Sequence, residues 1–530
     1  MISIAHLVQQ KAASRPDLDV LTFEHEGRQE SRTYAQLWRY GQALAAALAA
    51  MGVGKGDRIG LLLQNHAEFV DTMVAAGILG AVLVPLDPRM RGEKLAFMLR
   101  DAGCVGIVCG DYALANVRQV LPDLPALAWI VTVGATDAAT GASVPITAFA
   151  DLVGGAAAPD LAIAVAAAGE PMQIMYTSGT TGDPKGIVVT HGRFIAATGY
   201  GAAMFGYREG DRPYTGLSLT HGNAQYVTLA PALAMGLRAV FSRKFTKSRL
   251  WDVIRANGCT TFSLLGGMAT AIYSEPVKAD DGVNPVRHVI SAGMPAAIWN
   301  DFCDRFQVGI IEFYGAMEGG LLINPLGAGP AGSCGKPPAT MRVRVIDEQG
   351  RDVGPGEPGE LLFGAADGTP MQVEYVGKPE ESARKTVDGW LRSGDIVVRD
   401  SEGWVFFRNR VGGGIRHNGD FIDPALVEKV VAEHPGVGDA FVWGVPSASG
   451  APGEKDVVAA VVPVDPGGFD PQDLFAWCRS RLEPNMVPGY VQILAEIPKT
   501  ASEKPQERFL REMFDAHPGA VVTEMRRQTA

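Results

Sequence analysis

Met172-Gln-Ile-Met-Tyr-Thr-Ser-Gly-Thr-Thr-Gly-Asp-Pro-Lys-Gly-Ile-Val-Val-Thr190 reads as two short apolar strands, 172–176 and 187–190, joined by a polar loop. The loop holds four hydroxyl residues (Thr177, Ser178, Thr180, Thr181), three glycines (Gly179, Gly182, Gly186) and Lys185. Glycines let backbone amides approach an anion, hydroxyls donate further hydrogen bonds, and a lysine neutralises charge. That composition suits a polyphosphate. The Walker spacing is absent, because Lys185 is followed by Gly186 and the chain returns into a strand. A P-loop kinase or ATPase loses ground on that point. A surface turn rich in hydroxyls by chance is the alternative, and the length of the run stands against it.

Upstream of this loop, helical and strand patterns alternate. Leu37, Tyr40, Leu44 and Leu48 recur at helical spacing over 34–51, and Gly52-Val-Gly-Lys-Gly56 ends that helix. Strand 58–63, helix 68–80, strand 82–85, helix 93–102 and strand 105–109 follow. Such alternation predicts a layered α/β architecture with largely parallel sheets. The Ala/Gly-rich stretch 154–169 is expected to be a surface loop with a short helix.

After about Gly335 the pattern becomes strand, turn, strand: 343–346, the turn Glu348-Gln-Gly-Arg-Asp352, then 360–363, with another short strand at 403–407. Arg410-Val-Gly-Gly-Gly-Ile415 marks a flexible joint, since consecutive glycines lose much backbone entropy on ordering. What remains is enough for a small α+β domain, with a helix at 424–434 and strands near 439–445 and 456–463.

With 530 residues the chain is long enough for two or more domains. Its 47 basic and 58 acidic side chains give a net charge of −11, and no Lys/Arg block stands out. A phosphate-tracking nucleic-acid binder needs a basic surface, so nucleic acid is excluded as the expected partner. The six cysteines (Cys104, Cys109, Cys259, Cys303, Cys334, Cys478) are scattered without metal spacing, which reads as buried thiols in a reducing compartment. The N-terminus lacks a basic region before an apolar run, and the 72–86 stretch is too short to span a bilayer. A cytoplasmic protein without membrane insertion is expected.

The 176–186 loop resembles the signature of the adenylate-forming superfamily, which includes acyl-CoA synthetases, adenylation domains and luciferases. Further matches run in the family's order from about Thr33 to Arg511. The resemblance implies a large N-terminal domain of layered α/β subdomains plus a β-barrel-like part, expected at 1–411. A small mobile α+β lid domain at 412–530 would follow it.

Role by role, the resemblance implies the following. Ser291-Ala-Gly-Met-Pro295 is similar to the segment lying against adenine, where Ala292 and Gly293 would form an uncluttered wall; an ordinary strand-to-helix turn is the other reading. Ile311-Glu-Phe-Tyr-Gly-Ala-Met-Glu318 resembles the Tyr-Gly-x-Thr-Glu element. Tyr314 would stack on adenine, with Glu312 and Gly315 beside it, and Glu318 would hold Mg²⁺. Met317 replaces the family threonine, which removes one hydroxyl typically worth about 1 kcal/mol net. Trp390-Leu-Arg-Ser-Gly-Asp395 is similar to the segment whose aspartate binds both ribose hydroxyls, and Arg410 matches an arginine reaching the ribose. Pro498-Lys-Thr-Ala-Ser-Glu-Lys504 resembles the C-terminal signature that carries the catalytic lysine, here Lys504. Glu503 stands where glycine is common and Pro505 where an aliphatic residue is usual.

The activity implied is the ATP-dependent conversion of a carboxylic acid to acyl-AMP, then transfer of the acyl group to coenzyme A. Gly412 matches the pivot between the two half-reactions and Gly419 the pantetheine tunnel. The acyl pocket is expected near Leu217-Ser-Leu-Thr-His-Gly-Asn-Ala-Gln225 and the loop at 261–268. His221 matches a position at its mouth; a histidine satisfied in the core is the alternative. Gly266, Gly267, Ala316, Gly319 and Gly320 would be small pocket neighbours leaving volume for an aromatic or branched acid. The 217–225 segment also resembles the crotonobetaine/carnitine-CoA ligase branch, so a short polar acid stays open. So do a carrier-protein thiol in place of CoA and a weakened nucleotide-binding regulator. A homodimer is the family-level expectation.

Overall fold

The computed structural model describes residues 1–135, 144–155, 160–177, 184–410, 415–417, 420–422, 424–447, 455–500, 503 and 505–523, with backbone alone at 177, 416, 420 and 421. These residues fall into two units. The first comprises Met1–Thr246, Asp252–Ser263 and Gln372–Val387; the second Lys247–Trp251, Leu264–Met371 and Asp388–Ala530.

The first unit carries a seven-stranded sheet in the order Ile146–Ala148, Trp129–Val133, Cys104–Gly110, Arg58–Leu62, Val82–Pro85, Pro171–Thr177, Lys185–Thr190. Every neighbouring pair is parallel except the last. The crossover helices Ala67–Leu79 and Gly92–Ala102 sit where the 3.6-residue pattern places them, and a further helix, Asp111–Val120, follows the Cys104–Gly110 strand. Leu62, Val84, Leu95, Leu99, Ile107 and Ile174 pack one of the sheet's cores. Gly80 and Gly103 end two of those helices at φ 69° and 65°, a left-handed cap open to glycine without cost. A second sheet runs Thr261–Leu265 (residues 261–263 in this unit), Pro213–Thr215, Ala239–Ser242, Asp19–His25, Arg28–Thr33, parallel until the final hairpin.

In the second unit His288–Ala292 pairs parallel with Gly309–Ala316, and Gly319–Asn324 returns antiparallel to it. An antiparallel sheet follows through Met341–Ile346, Pro358–Ala365, Trp390–Arg399 and Val405–Arg410, the β-barrel-like part. The expected 403–407 strand begins later, because Gly403 sits in a turn at φ 88°. The C-terminal region is a four-stranded sheet of Val437–Pro446, Lys455–Pro463, Tyr490–Ile493 and Val521–Thr523 with helices on both faces. Strict alternation explains the two faces. Val457, Ala459 and Val461 meet Val427, Leu474 and Phe475 of the Pro424–Ala432 and Pro471–Arg479 helices. Val458 and Ala460 meet Trp443 and Leu510, the latter from helix Glu507–Ala516.

The described part of 154–169 contains no helix; the short helix lies just before it, at Phe149–Val153. All six cysteines are free thiols and five are buried. No helix among the described residues is long and apolar enough to cross a membrane.

Candidate active site

In the first unit the hairpin register pairs Tyr176 with Gly186 and Thr177 with Lys185, so the loop leaves and re-enters one sheet edge. A strand-loop-strand turn of this kind differs from the strand-loop-helix of a Walker site. Its base is anchored: the Tyr176 hydroxyl donates to Asp101 at 2.6 Å, and burial together with that carboxylate pushes the phenol's pKa up. A Cβ on Gly186 would press to 2.7 Å from Ile174 Cγ2, so the close approach of the two strands requires glycine. Lys185 pairs with the Glu381 carboxylate, which the ammonium holds below its usual range, and lies 5.6 Å from the Tyr375 ring centre. Backbone bonds from Val376 N–H to the Gly186 carbonyl (2.9 Å) and from Val188 N–H to Glu374 (3.0 Å) bring that segment alongside. Neither Glu381 nor Tyr375 carried a sequence signal. Ser178, Gly179, Thr180 and Thr181 lie outside the described residues.

The 217–225 segment, also in the first unit, is held by the buried side chain of Asn65. Its amide nitrogen donates to the Leu217 and Ser242 carbonyls at 2.9 and 2.8 Å, and its oxygen accepts from Leu219 N–H at 2.8 Å. His221 Nδ1 accepts from Asn223 N–H at 3.1 Å, which leaves the ring proton on Nε2. Gln225 and Gln173 exchange amide bonds at 2.9 and 3.2 Å in the interior.

The second unit assembles the adenosine-type residues. Asp395 and Arg410 face each other in register on neighbouring strands, with Arg410 Nε 3.2 Å from Asp395 Oδ1. The Tyr314 hydroxyl donates to Asp395 Oδ2 at 2.5 Å, and its ring stacks on Phe363 at 5.7 Å. Burial and the Asp395 charge raise the Tyr314 pKa well above 10, so the phenol stays a donor. Asp395 is 3 % exposed, and its Oδ1 has the ion pair with Arg410 but accepts no hydrogen bond. A buried carboxylate oxygen in that state fits a pair of vicinal hydroxyls.

Ser291–Gly293 ends the His288–Ala292 strand, and Gly293 takes φ 90°. The Gly293 and Met294 amides donate to the buried Glu312 carboxylate, whose pKa burial pushes up to about 7. A Cβ on Gly266 would overlap the Gly293 carbonyl oxygen, and one on Gly320 the Phe363 ring. At those two glycines the missing side-chain volume is already occupied by protein. Their smallness serves close packing, a distinction the sequence could not carry. Gly266→Ala is therefore expected to displace the 291–293 segment, an overpacking cost of about 1–3 kcal/mol. Read as KM for ATP in pyrophosphate release, it should rise by about tenfold; a value within twofold of wild type would remove this segment from the nucleotide site.

Gly315, Ala316, Met317 and Glu318 occupy the bulged end of Gly309–Ala316 and the turn to Gly319, whose φ is 137°. No group of three or more His, Cys, Asp or Glu side chains that could hold a metal occurs among the described residues. A single carboxylate such as Glu318 suits Mg²⁺ taken up largely through substrate phosphates. Glu503 N–H bonds to the Thr500 carbonyl at 2.9 Å, and Glu503 adopts φ 59°. That left-handed conformation explains why glycine is usual there; a non-glycine residue bears about 1–2 kcal/mol. A Cβ on Gly267 would sit 3.2 Å from the Glu503 carbonyl oxygen. Gly412, Gly419 and Lys504 lie outside the described residues.

Residues 8–369 match the AMP-binding enzyme family, and 426–504 match the AMP-binding enzyme C-terminal domain. The chain belongs to the AMP-binding enzyme family. It is similar to the 3-hydroxybenzoate–CoA ligase of Aromatoleum sp. (strain CIB), 30% identical over 92% of this chain and 93% of that one. It is also similar to the crotonobetaine/carnitine–CoA ligase of Salmonella heidelberg (strain SL476), 26% identical over 92% and 95%. Its fold is that of the anthranilate CoA ligase solved with anthranoyl-AMP, with TM-score 0.83, 23% identity and 98% of both chains covered. As a member of the AMP-binding enzymes the chain is an AMP-forming acid–CoA ligase using ATP and coenzyme A. It couples acyl-AMP formation, with release of pyrophosphate, to thioester formation with release of AMP.

Proposed function

We propose that this ligase activates an aromatic or branched, medium-sized carboxylic acid at a site built from the residues above. The observation that carries the nucleotide half is Asp395, buried, with Tyr314 donating to its Oδ2 and its Oδ1 facing the Arg410 charge without a hydrogen bond. In this reading Asp395 accepts from the ribose hydroxyls and Arg410 steadies it. Tyr314 and the Ser291–Gly293 segment flank the adenine. Thr177, Ser178, Gly179, Thr180, Thr181 and Lys185 cradle the phosphates. Both reacting partners are anionic, so the catalyst must offset their repulsion and the charge that develops in the transition state. Lys504 supplies one positive charge between carboxylate and phosphate. Glu318 would hold Mg²⁺, which when bound neutralises phosphate charge.

His221, with its proton on Nε2, can donate to the acid's carboxylate at the pocket mouth. Gly267, Ala316 and Gly319 are the proposed small neighbours of the acid. The same reading divides the chain into an N-terminal domain, 1–411, and a lid, 412–530. Gly412 is the pivot between half-reactions, and Gly419 lines the pantetheine path. A cytoplasmic location and a homodimer complete it. The similarity to a crotonobetaine/carnitine–CoA ligase supports a short polar acid as the second reading.

The deciding experiment is pyrophosphate release over aromatic, branched and betaine-type acids, followed by AMP release with CoA or with a carrier-protein thiol. Asp395→Ala should raise KM for ATP about 10- to 100-fold, since a hydrogen bond to a charged group is worth about 1.5–3 kcal/mol. An unchanged KM for ATP would displace the ribose assignment.

A further inference from the structure

Asn223 is 7 % exposed, and neither the nitrogen nor the oxygen of its side-chain amide has a hydrogen-bond partner. Leaving a buried amide unmatched on both sides is costly, and such groups in folded proteins call for an explanation. Loose packing does not supply one. Apart from the Tyr226 hydroxyl, which is also buried without a hydrogen-bond partner, the polar side chains of the segment are tied down: Asn65 makes three bonds to the segment and its neighbour strand. Gln225 bonds Gln173 and the Leu219 carbonyl, Ser218 bonds Thr220, and Thr228 bonds Ser263. The Asn223 backbone is itself fixed to His221 at 3.1 Å. Immediately after it the chain forms a π-helix over Ala224–Leu229, a rare geometry that recurs at functional sites. A rigid frame thus presents one unmatched donor and one unmatched acceptor.

We propose that Asn223 determines specificity for the acid. Its amide pairs with a neutral hydrogen-bonding substituent, a hydroxyl or amino group, on the acyl part of the substrate. This rests on the reading that the 217–225 segment lines the acyl pocket. A hydroxyl both donates and accepts and so matches both halves of the amide, whereas an amino group matches the oxygen. The substituent is neutral, because 217–228 contains no Asp, Glu, Lys or Arg to pair with a buried charge. A quaternary ammonium, which has no N–H to donate, is disfavoured on both counts.

The test is acid-dependent pyrophosphate release with matched acids: benzoate, 3-hydroxybenzoate, 2-aminobenzoate, cyclohexanecarboxylate, its hydroxylated counterparts, and crotonobetaine. Wild type should favour a hydroxyl- or amino-bearing acid over its unsubstituted partner by about 10- to 100-fold in kcat/KM, because the unsubstituted acid leaves the buried amide unmatched. Asn223→Leu should bring the pair within about threefold, chiefly by raising the unsubstituted acid. A wild-type ratio within threefold for every pair overturns the proposal while the ligase reading stands, and so does a ratio that survives in Asn223→Leu. If Asn223→Leu fails to fold, Asn223→Ser and the wild-type ratios decide alone. If wild type releases pyrophosphate with no acid, the ligase reading fails and this proposal falls with it.

Discussion

Lys504→Ala is expected to lower acid-dependent pyrophosphate release by about 10²–10³-fold, the usual consequence of deleting one preorganised charge at a developing anion. Thioester formation from a supplied acyl-adenylate should stay within a few-fold of wild type, because that step begins after the polyphosphate has left. The described residues on either side of position 504 are tied to each other and to the sheet. Lys499 and Pro505 bridge across the segment, Gln506 N–H bonds to the Pro498 carbonyl at 2.8 Å, and Lys499 is tied to Asp439 at 2.6 Å. Stopped-flow or coupled-assay separation of the half-reactions reads the split. Equal losses in both steps would mean that Lys504 supports the fold and not the first half-reaction.

Arg32→Met should destabilise the protein by about 3–5 kcal/mol, because it strands the Asp71 carboxylate in the interior. Asp71 is fully buried in helix Ala67–Leu79, and Arg32 Nε and Nη2 both approach its Oδ2 at 3.0 Å. In a thermal melt the loss should appear as a fall of roughly 10 °C. Adding Asp71→Leu should restore most of it, since removing both charges abolishes the desolvation penalty that one alone incurs. A double variant as unstable as Arg32→Met would show that shape, and not the unpaired charge, sets the cost. The consequence reaches the site, because the Asn65 that pins the 217–219 loop lies two residues before this helix.

Much of the first unit is legible in sequence. Helix Tyr34–Ala50 and the strands Arg58–Leu62, Val82–Pro85 and Cys104–Gly110 follow from apolar periodicity ended by glycine turns. The C-terminal region is less so. Tyr490–Ile493 and Val521–Thr523 have four and three residues, too few for alternation to register; the first is a strand because Lys455–Pro463 offers an edge to pair with, and the second because Tyr490–Ile493 then offers the next edge. Helix Glu507–Ala516 buries one leucine, Leu510, against the sheet, so its pattern in sequence is mostly polar.

The polyphosphate loop shows the same division. Its glycines, hydroxyls and lysine are local facts, and local chemistry was enough to point to a nucleoside triphosphate and to a hairpin return. The partners of those residues are another matter. Lys185 meets Glu381 from 196 positions away in sequence (381 − 185), and Tyr314 meets Asp395 across 81. Whether Gly266 leaves a space or fills one depends on where the Gly293 carbonyl runs, and whether the Asn223 amide is satisfied depends on every group packed around it. Residue type and period set what each segment can do, because dihedral preference and hydrogen-bonding capacity are properties of the residue itself. Which capacities are used up and which are left for a substrate is set only when distant segments pack, since that alone decides which donors and acceptors meet.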